Sequence, residues 1–208
     1  MGALYAFELQ EFIDKYNVKI YFETGTGEGI SLKHALRYQF DELYSVDIDK
    51  ELIRRSLVLK QKHKNLRLIS GKSTEVIEKY VPQIDDSSPV LFFLDAHFPG
   101  ADFHKISYEQ SIRHFKQDAF PLEEEVNAIL RDRDVSKDVF IIDDFMLYED
   151  GDYDSIKEGV VWKYGWLQEE MNLETSSSFL YDLFKDTHDL KKDLRHQGYM
   201  IMVPKGDK

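Results

Sequence analysis

Cysteine is absent from the 208 residues, which removes disulfides, thiolate metal sites and a cysteine nucleophile together. No apolar run approaches the ~20 residues that span a bilayer. The opening MGALYAFELQEF carries acids where a secretory leader has basic and then apolar residues. Position 6 is Ala, so the myristoylation pattern that begins at Gly2 is not met. A cytoplasmic protein without membrane association is expected. Positive charge is also short, with 27 Lys and Arg against 39 Asp and Glu and a formal net charge of −12. Such a surface repels phosphate backbones, so nucleic acid is not expected as a partner. The one dense basic stretch, Lys60, Lys62, His63, Lys64 and Arg67, reads as a solvated helix end where cations complement the helix dipole. No Pro/Gly/Ser-rich tract marks a linker, and 42% apolar content suffices for one domain over residues 1–208.

The chain is organised around Val18 to Gly29, VKIYFETGTGEG. A β-branched run passes Glu23 and meets glycines at 25, 27 and 29. A helical pattern follows, with Ser31 as its cap and Leu32, Ala35, Leu36 and Phe40 on one face. Strand, glycine-rich turn and helix together suit a nucleotide-type ligand, because glycine lets the backbone approach it and free N–H groups gather at the turn. A dinucleotide fingerprint would be G-x-G-x-x-G. Here Ile30 stands at the third glycine's place, which argues against a nicotinamide-dependent oxidoreductase. The Gly-Lys-Ser at 71–73 lacks the upstream glycine of a phosphate loop, since Leu66 occupies that position.

Five strands are predicted to alternate with helices: Val18 to Glu23, Leu43 to Asp47, Leu66 to Ser70, Pro89 to Leu94 and Val139 to Ile142. The intervening helices are Leu4 to Tyr16 before the first strand, Lys50 to about Gln61 after Asp49 as cap, one capped by Ser73, and one from Pro121. Ser178 to Phe184 and Gly198 to Val203 read as two closing strands, an antiparallel pair. This is an α/β pattern: a Rossmann-like, doubly wound, mostly parallel seven-stranded sheet with helices on both faces. In such sheets ligands sit beyond the carboxyl ends of the strands. Glu23, Asp47, Asp95 and Asp143 all fall at predicted strand ends.

The E-x-G-x-G-x-G pattern resembles the first motif of class I S-adenosylmethionine-dependent methyltransferases. The motifs LDAH (94–97), PLEEEV (121–126) and IIDD (141–144) resemble a small methyltransferase-like group, similar in turn to metal-dependent O-methyltransferases of sugars and natural products. The resemblance covers roughly residues 18 to 146. It implies that Glu23, Gly25, Thr26, Gly27, Gly29, Asp47, Ile48, Lys72, Ser73 and Asp95 contact S-adenosylmethionine, with Asp47 on the ribose and Glu23 near the methionine end. It further implies Mg²⁺ held by Asp95, Asp143 and Asp144, although Asp143 and Asp144 equally suit a loop cap or an arginine partner. A clustered set of carboxylates raises its own pKa values, and a hard cation relieves that.

His97 is expected to act as general base or as an additional metal ligand, with Asp95 and with Glu125, a carboxylate on the apolar stripe of its helix, completing the catalytic set. The expected reaction is methyl transfer to a small hydroxylated acceptor such as a sugar. A binding module that keeps the pocket without catalysis, and a metal-dependent hydrolase, are the alternatives. Residues 98–120 are too long for a usual strand-to-helix link, and read either as a lid or as an extra helix packing Ile106, Ile112 and Phe115. The aromatics Tyr153, Trp162, Tyr164 and Trp166 form either a second wall of the site or a homodimer contact.

Overall fold

Every position of the strand Val90–Leu94 (β4) is buried, as a continuously apolar strand requires when both faces of its sheet are covered. The computed structural model describes residues 4–101, 103, 105–157, 159 and 175–206. Around β4 lie Ile20–Thr24 (β1), Glu42–Asp47 (β2), Leu66–Ser70 (β3), Val139–Ile142 (β5), His188–Asp193 (β6) and Tyr199–Pro204 (β7). They form one seven-stranded sheet in the order β3-β2-β1-β4-β5-β7-β6. The first five strands are parallel, and β7 runs antiparallel to both β5 and β6.

The helices Leu9–Tyr16 (α1), Ile30–Ala35 (α2) and Lys50–Lys62 (α3) cover one face. There Leu9, Leu32 and Ala35 pack on Tyr21, Leu43, Leu91, Phe93 and Ile141, and Leu59 of α3 joins them. Ser73–Tyr80 (α4), Leu122–Asp132 (α6) and Ser178–Phe184 (α8) cover the other. Val76, Ile77, Val126, Ile129, Leu180 and Phe184 pack there on Phe22, Tyr44, Phe92 and Phe140. Tyr108–Phe115 (α5) and the single turn Asp154–Lys157 (α7) complete the helices described. No helix among the described residues is long and apolar enough to cross a membrane.

Several local expectations change. The first helix breaks into a 3-10 turn, Leu4–Ala6, and α1, because Phe7 turns into the core at the break. Gly29, at φ 70°, caps α2 in place of Ser31, and Lys72 takes the cap position assigned to Ser73. Ser178–Phe184 is a helix and not a strand. Its buried residues, Leu180 and Phe184, stand four apart on one helical face. The missing strand is β6, whose charged HDLKKD gives little apolar signal; it sits at the sheet edge, where such charge protects against strand addition.

The strand order reverses between β1 and β4, which makes their carboxyl ends the topological switch point, where open sheets bind ligands. Thr24 pairs with Val46 and with Leu94, and Leu94 with Ile142. One residue further along, Asp47, Gly25, Asp95 and Asp143 therefore form a single row across four strands. Three acids and a glycine stand side by side.

Candidate active site

Gly25 sits in that row because nothing larger fits. At φ 81° it lies so close to β4 that a Cβ would come 2.6 Å from the Asp95 carbonyl oxygen. The turn is then pinned from β2: Gly25 and Thr26 both donate their N–H to Val46 O at 2.9 Å, and Gly27 N donates to Asp47 Oδ2 at 2.8 Å. Asp47 Oδ1 accepts from Asp49 N at 2.8 Å, and Asp49 caps α3 as expected by accepting from Glu51 N. Burial raises the Asp47 pKa against these two N–H bonds.

The turn borders a partly open cavity beyond the carboxyl ends of β1, β2 and β4, the place where open α/β sheets bind small molecules. Of the residues expected to contact a cofactor, Gly25, Thr26, Gly27, Asp47, Ile48, Lys72, Ser73 and Asp95 line it. Gly29 and Glu23 do not. Gly29 packs against Ser56 and Leu59 of α3. Glu23 lies fully buried one layer down, its carboxylate accepting from Tyr21 Oη at 2.6 Å and Ser45 Oγ at 2.5 Å.

Residues that the sequence reading passed over also line the cavity: Glu28, Ser31, Asp49, Phe103 and Asp118 among them. Phe103 and Asp118 belong to the 98–120 segment, which both carries a packing helix and walls the cavity. Ser107 and Gln110 cap α5 reciprocally, and Ile112 and Phe115 join the core. Across the cavity mouth, Lys72 pairs with Asp118 at 2.6 Å and Lys105 pairs with Asp49. Segments 98–120 and the β2 and β3 ends are thus clasped at two points. Tyr153 packs near Gly198, away from the cavity lining, while Trp162, Tyr164 and Trp166 lie outside the described residues.

Behind the β4 end a second, much smaller inner cavity is bordered by Asp95, His97, Glu125, Asp143 and Tyr148. Asp95 and His97 line both cavities. His97 Nδ1 stands 2.9 Å from the Asp95 carbonyl, which accepts only, so Nδ1 carries a proton. Nε2 approaches Asp144 Oδ2 at 2.6 Å, off the line of a straight hydrogen bond. Burial pushes the Asp144 pKa up, but His97 outweighs it and the net shift is downward. Nε2 and Asp144 therefore share either a proton or a metal ion. A ring that donates one N–H to a backbone carbonyl while its other nitrogen faces a carboxylate is the habit of a metal-ligating histidine.

Ligand atoms of Asp95, His97 and Asp144 lie within 4.8 Å of one another, and Oδ1 of both aspartates is buried without a hydrogen-bond partner. These residues fit a divalent cation. The cluster brings two of the expected ligands, Asp95 and Asp144, together with His97, and the third, Asp143, borders the same inner cavity while its Oδ1 accepts Asp144 N at 2.8 Å. Nδ1 is engaged by the Asp95 carbonyl, and Nε2, facing Asp144, is the nitrogen that would act as base or as metal ligand. Two carboxylates and an imidazole suit Mn²⁺, Fe²⁺ or Zn²⁺ as well as Mg²⁺.

Glu125 is on its helix's buried stripe as expected, 1% exposed, with Oε1 unpartnered toward the inner cavity and Oε2 3.4 Å from Thr24 Oγ1. Burial raises its pKa to about 7 against bonds from Ser73 and Thr24, and burial raises that of Glu23 to about 7 against Ser45 and Tyr21. The sign follows. A carboxyl raised on folding binds its proton more tightly in the native state, so its contribution is full below its unfolded pKa and is lost as pH climbs to about 7. Each group carries about 3 kcal/mol across that window. Urea unfolding at pH 5 and pH 8 is expected to show a shallower pH slope in Glu125→Gln than in the parent. An unchanged slope would remove Glu125 from this account.

No protein-family model matches the chain, and no curated protein matches it. Solved structures do. A methyltransferase from Podospora anserina with S-adenosylhomocysteine bound has 15% identity and a TM-score of 0.55, over 94% of this chain and 76% of the other. A Staphylococcus aureus protein described as a caffeoyl-CoA O-methyltransferase has 14% identity and a TM-score of 0.52, over 95% and 81%. A Streptococcus mutans protein described as a methyltransferase, also with S-adenosylhomocysteine, has 14% identity and a TM-score of 0.51, over 96% and 99%. At these identities the likeness is one of fold: the sheet is the Rossmann-like methyltransferase sheet.

Proposed function

We propose that the protein is an S-adenosylmethionine-dependent methyltransferase acting on a hydroxyl group of a small acceptor such as a sugar. The observation that carries this reading is the cavity at the β1/β4 switch point, bordered by the Gly25–Gly27 turn and by the row Asp47, Gly25, Asp95. The turn's backbone approaches the cofactor, Asp47 meets the ribose, and Ile48, Lys72 and Ser73 meet the adenine end. The 98–120 segment serves as a wall clasped over the cofactor by Lys72–Asp118 and Lys105–Asp49, excluding water from the sulfonium.

Methyl transfer is an in-line displacement, so the protein's work is to orient acceptor and cofactor and to receive a proton. Asp95, which lines both cavities, would receive it in the absence of a bound cation. Asp95, His97 and Asp144 would hold a divalent cation, which supplies Lewis acidity to an acceptor hydroxyl when bound. His97 keeps its orientation through the Asp95 carbonyl.

Calorimetric titration of S-adenosylmethionine and S-adenosylhomocysteine is the test, with and without Mg²⁺ or Mn²⁺. One-to-one saturable binding is expected for both. If neither binds, the methyltransferase reading fails; a metal that binds tightly in their absence would then favour metal-dependent hydrolysis.

A further inference from the structure

Thr26 is the cavity-lining residue with a buried hydroxyl bridge back into the sheet. Its Oγ1 is 2.7 Å from Ser45 Oγ, and Ser45 Oγ is 2.5 Å from Glu23 Oε1. The other carboxylate oxygen accepts from Tyr21 Oη at 2.6 Å. All four residues are buried: Glu23, Tyr21 and Ser45 fully, and Thr26 to 4% exposure. A hydroxyl has one proton to give. An ionised Glu23 only accepts, so Ser45 must donate to it. Ser45 then has only a lone pair for Thr26, and Thr26 must donate to Ser45. The direction of the whole chain is fixed from its buried end, and Thr26 is left with lone pairs toward the cavity.

We infer that Glu23 acts as a positioning residue which, through Ser45, makes Thr26 a hydrogen-bond acceptor on the cofactor wall and so selects a ligand donor group there. The inference rests on the cofactor reading given above. The donor is either the ammonium of the cofactor's amino-acid end or a ribose hydroxyl. Glu23 thereby serves the cofactor without touching it, which fits its absence from the cavity lining. Protonating Glu23 reverses the chain: its O–H donates to Ser45, Ser45 donates to Thr26, and Thr26 turns its own proton to the cavity. An acceptor becomes a donor.

The titratable groups around Glu23 act in opposite directions, Asp47 opposing its ionisation and the hydrogen bond from Tyr21 favouring it. Asp47 at the end of β2 raises its pKa further, and Tyr21 beside it on β1 is held protonated by burial, then by Glu23 and by Asp95 and Asp143 at the β4 and β5 ends. From α2, His34 is turned instead to the Phe7 carbonyl at 2.9 Å. Burial brings the Glu23 pKa to about 7, so the reversal falls in an accessible pH range.

The experiment is titration calorimetry of S-adenosylhomocysteine between pH 6 and pH 8.5 on the parent, Ser45→Ala, Thr26→Val and Thr26→Ser. Parent affinity is expected to rise with pH about a midpoint near 7. Ser45→Ala, which cuts the chain, and Thr26→Val, which removes the presented oxygen, are expected to bind about tenfold more weakly at pH 8.5 and to lose that pH dependence. Thr26→Ser is expected to keep both. A merely structural role would lower affinity equally at every pH. Repeating the titration with 5′-methylthioadenosine, which lacks the amino-acid end, separates the two donors: an unchanged Ser45→Ala deficit assigns the ribose, and a vanished one the ammonium.

Parent binding with the same affinity and pH dependence in Ser45→Ala and Thr26→Val overturns the relay alone. Absence of binding by the parent at every pH overturns the cofactor reading, and the relay's role with it.

Discussion

His97→Ala is expected to lower the proposed methyl transfer by about 10²–10⁴-fold, the range associated with losing a group that handles the reacting proton or its metal. The loss has a specific origin. Nε2 and Asp144 Oδ2 stand 2.6 Å apart with both side chains largely buried. Without the imidazole, Asp144 becomes a buried carboxylate with neither oxygen partnered. Neutralising Asp144 by protonation then removes a metal ligand as well. Affinity for Mn²⁺ should therefore fall together with turnover, while S-adenosylhomocysteine, whose proposed contacts lie on the turn and on β2, should bind within a few-fold of the parent. In the parent, metal affinity should rise with pH, since the cation displaces the proton shared by His97 and Asp144. If His97→Ala retained full turnover, His97 would be structural and the acceptor chemistry would belong to Asp95 or Glu125.

Arg133→Ala is expected to cost about 3–5 kcal/mol of stability, the usual penalty for stranding one partner of a buried ion pair. Arg133 and Asp138 lie at the opposite end of the sheet from the cavity, their side chains 1% and 0% exposed. Arg133 Nε and Nη2 donate to Asp138 at 2.6 and 2.9 Å, and Nη2 also to Ser88 O at 2.8 Å. Asp138 Oδ1 in turn accepts Val90 N at 2.8 Å. One guanidinium thus ties the loop before β4 to the loop before β5. Burial raises the Asp138 pKa despite its arginine partner, so the pair as a whole adds little over an apolar pair, yet removing half of it is costly. Arg133→Lys, which keeps the charge and loses the fork, should recover part of the loss. Urea unfolding at pH 7 measures all three proteins, and a change below 1 kcal/mol in Arg133→Ala would show that water reaches Asp138.

Legibility in the sequence followed the length scale of the interaction. The central strands β4 and β5 were readable because a strand buried on both faces must be apolar throughout, as VLFFL and VFII are. The β6 strand was not, because a sheet edge needs no apolar face and its HDLKKD is read by its neighbour β7 alone. Ser178–Phe184 was read with the wrong period: FLYDLF satisfies a strand as well as a helix over so few residues, and packing of Leu180 and Phe184 on the core decided it.

For the site, the sequence by itself determined the glycine turn, the acids at the strand ends and the buried carboxylate at position 125, since each is a local pairing of residue type with backbone position. Only the tertiary structure decided where each acid stands. The register that aligns Asp47, Gly25, Asp95 and Asp143 leaves Glu23 one layer below them, where its oxygens meet Tyr21 and Ser45 in place of a ligand. The rotation of the loop after β5, with Asp144 at φ 49°, carries Asp144 to within 2.6 Å of His97. Those placements depend on side-chain direction across neighbouring strands, a property that no single segment contains.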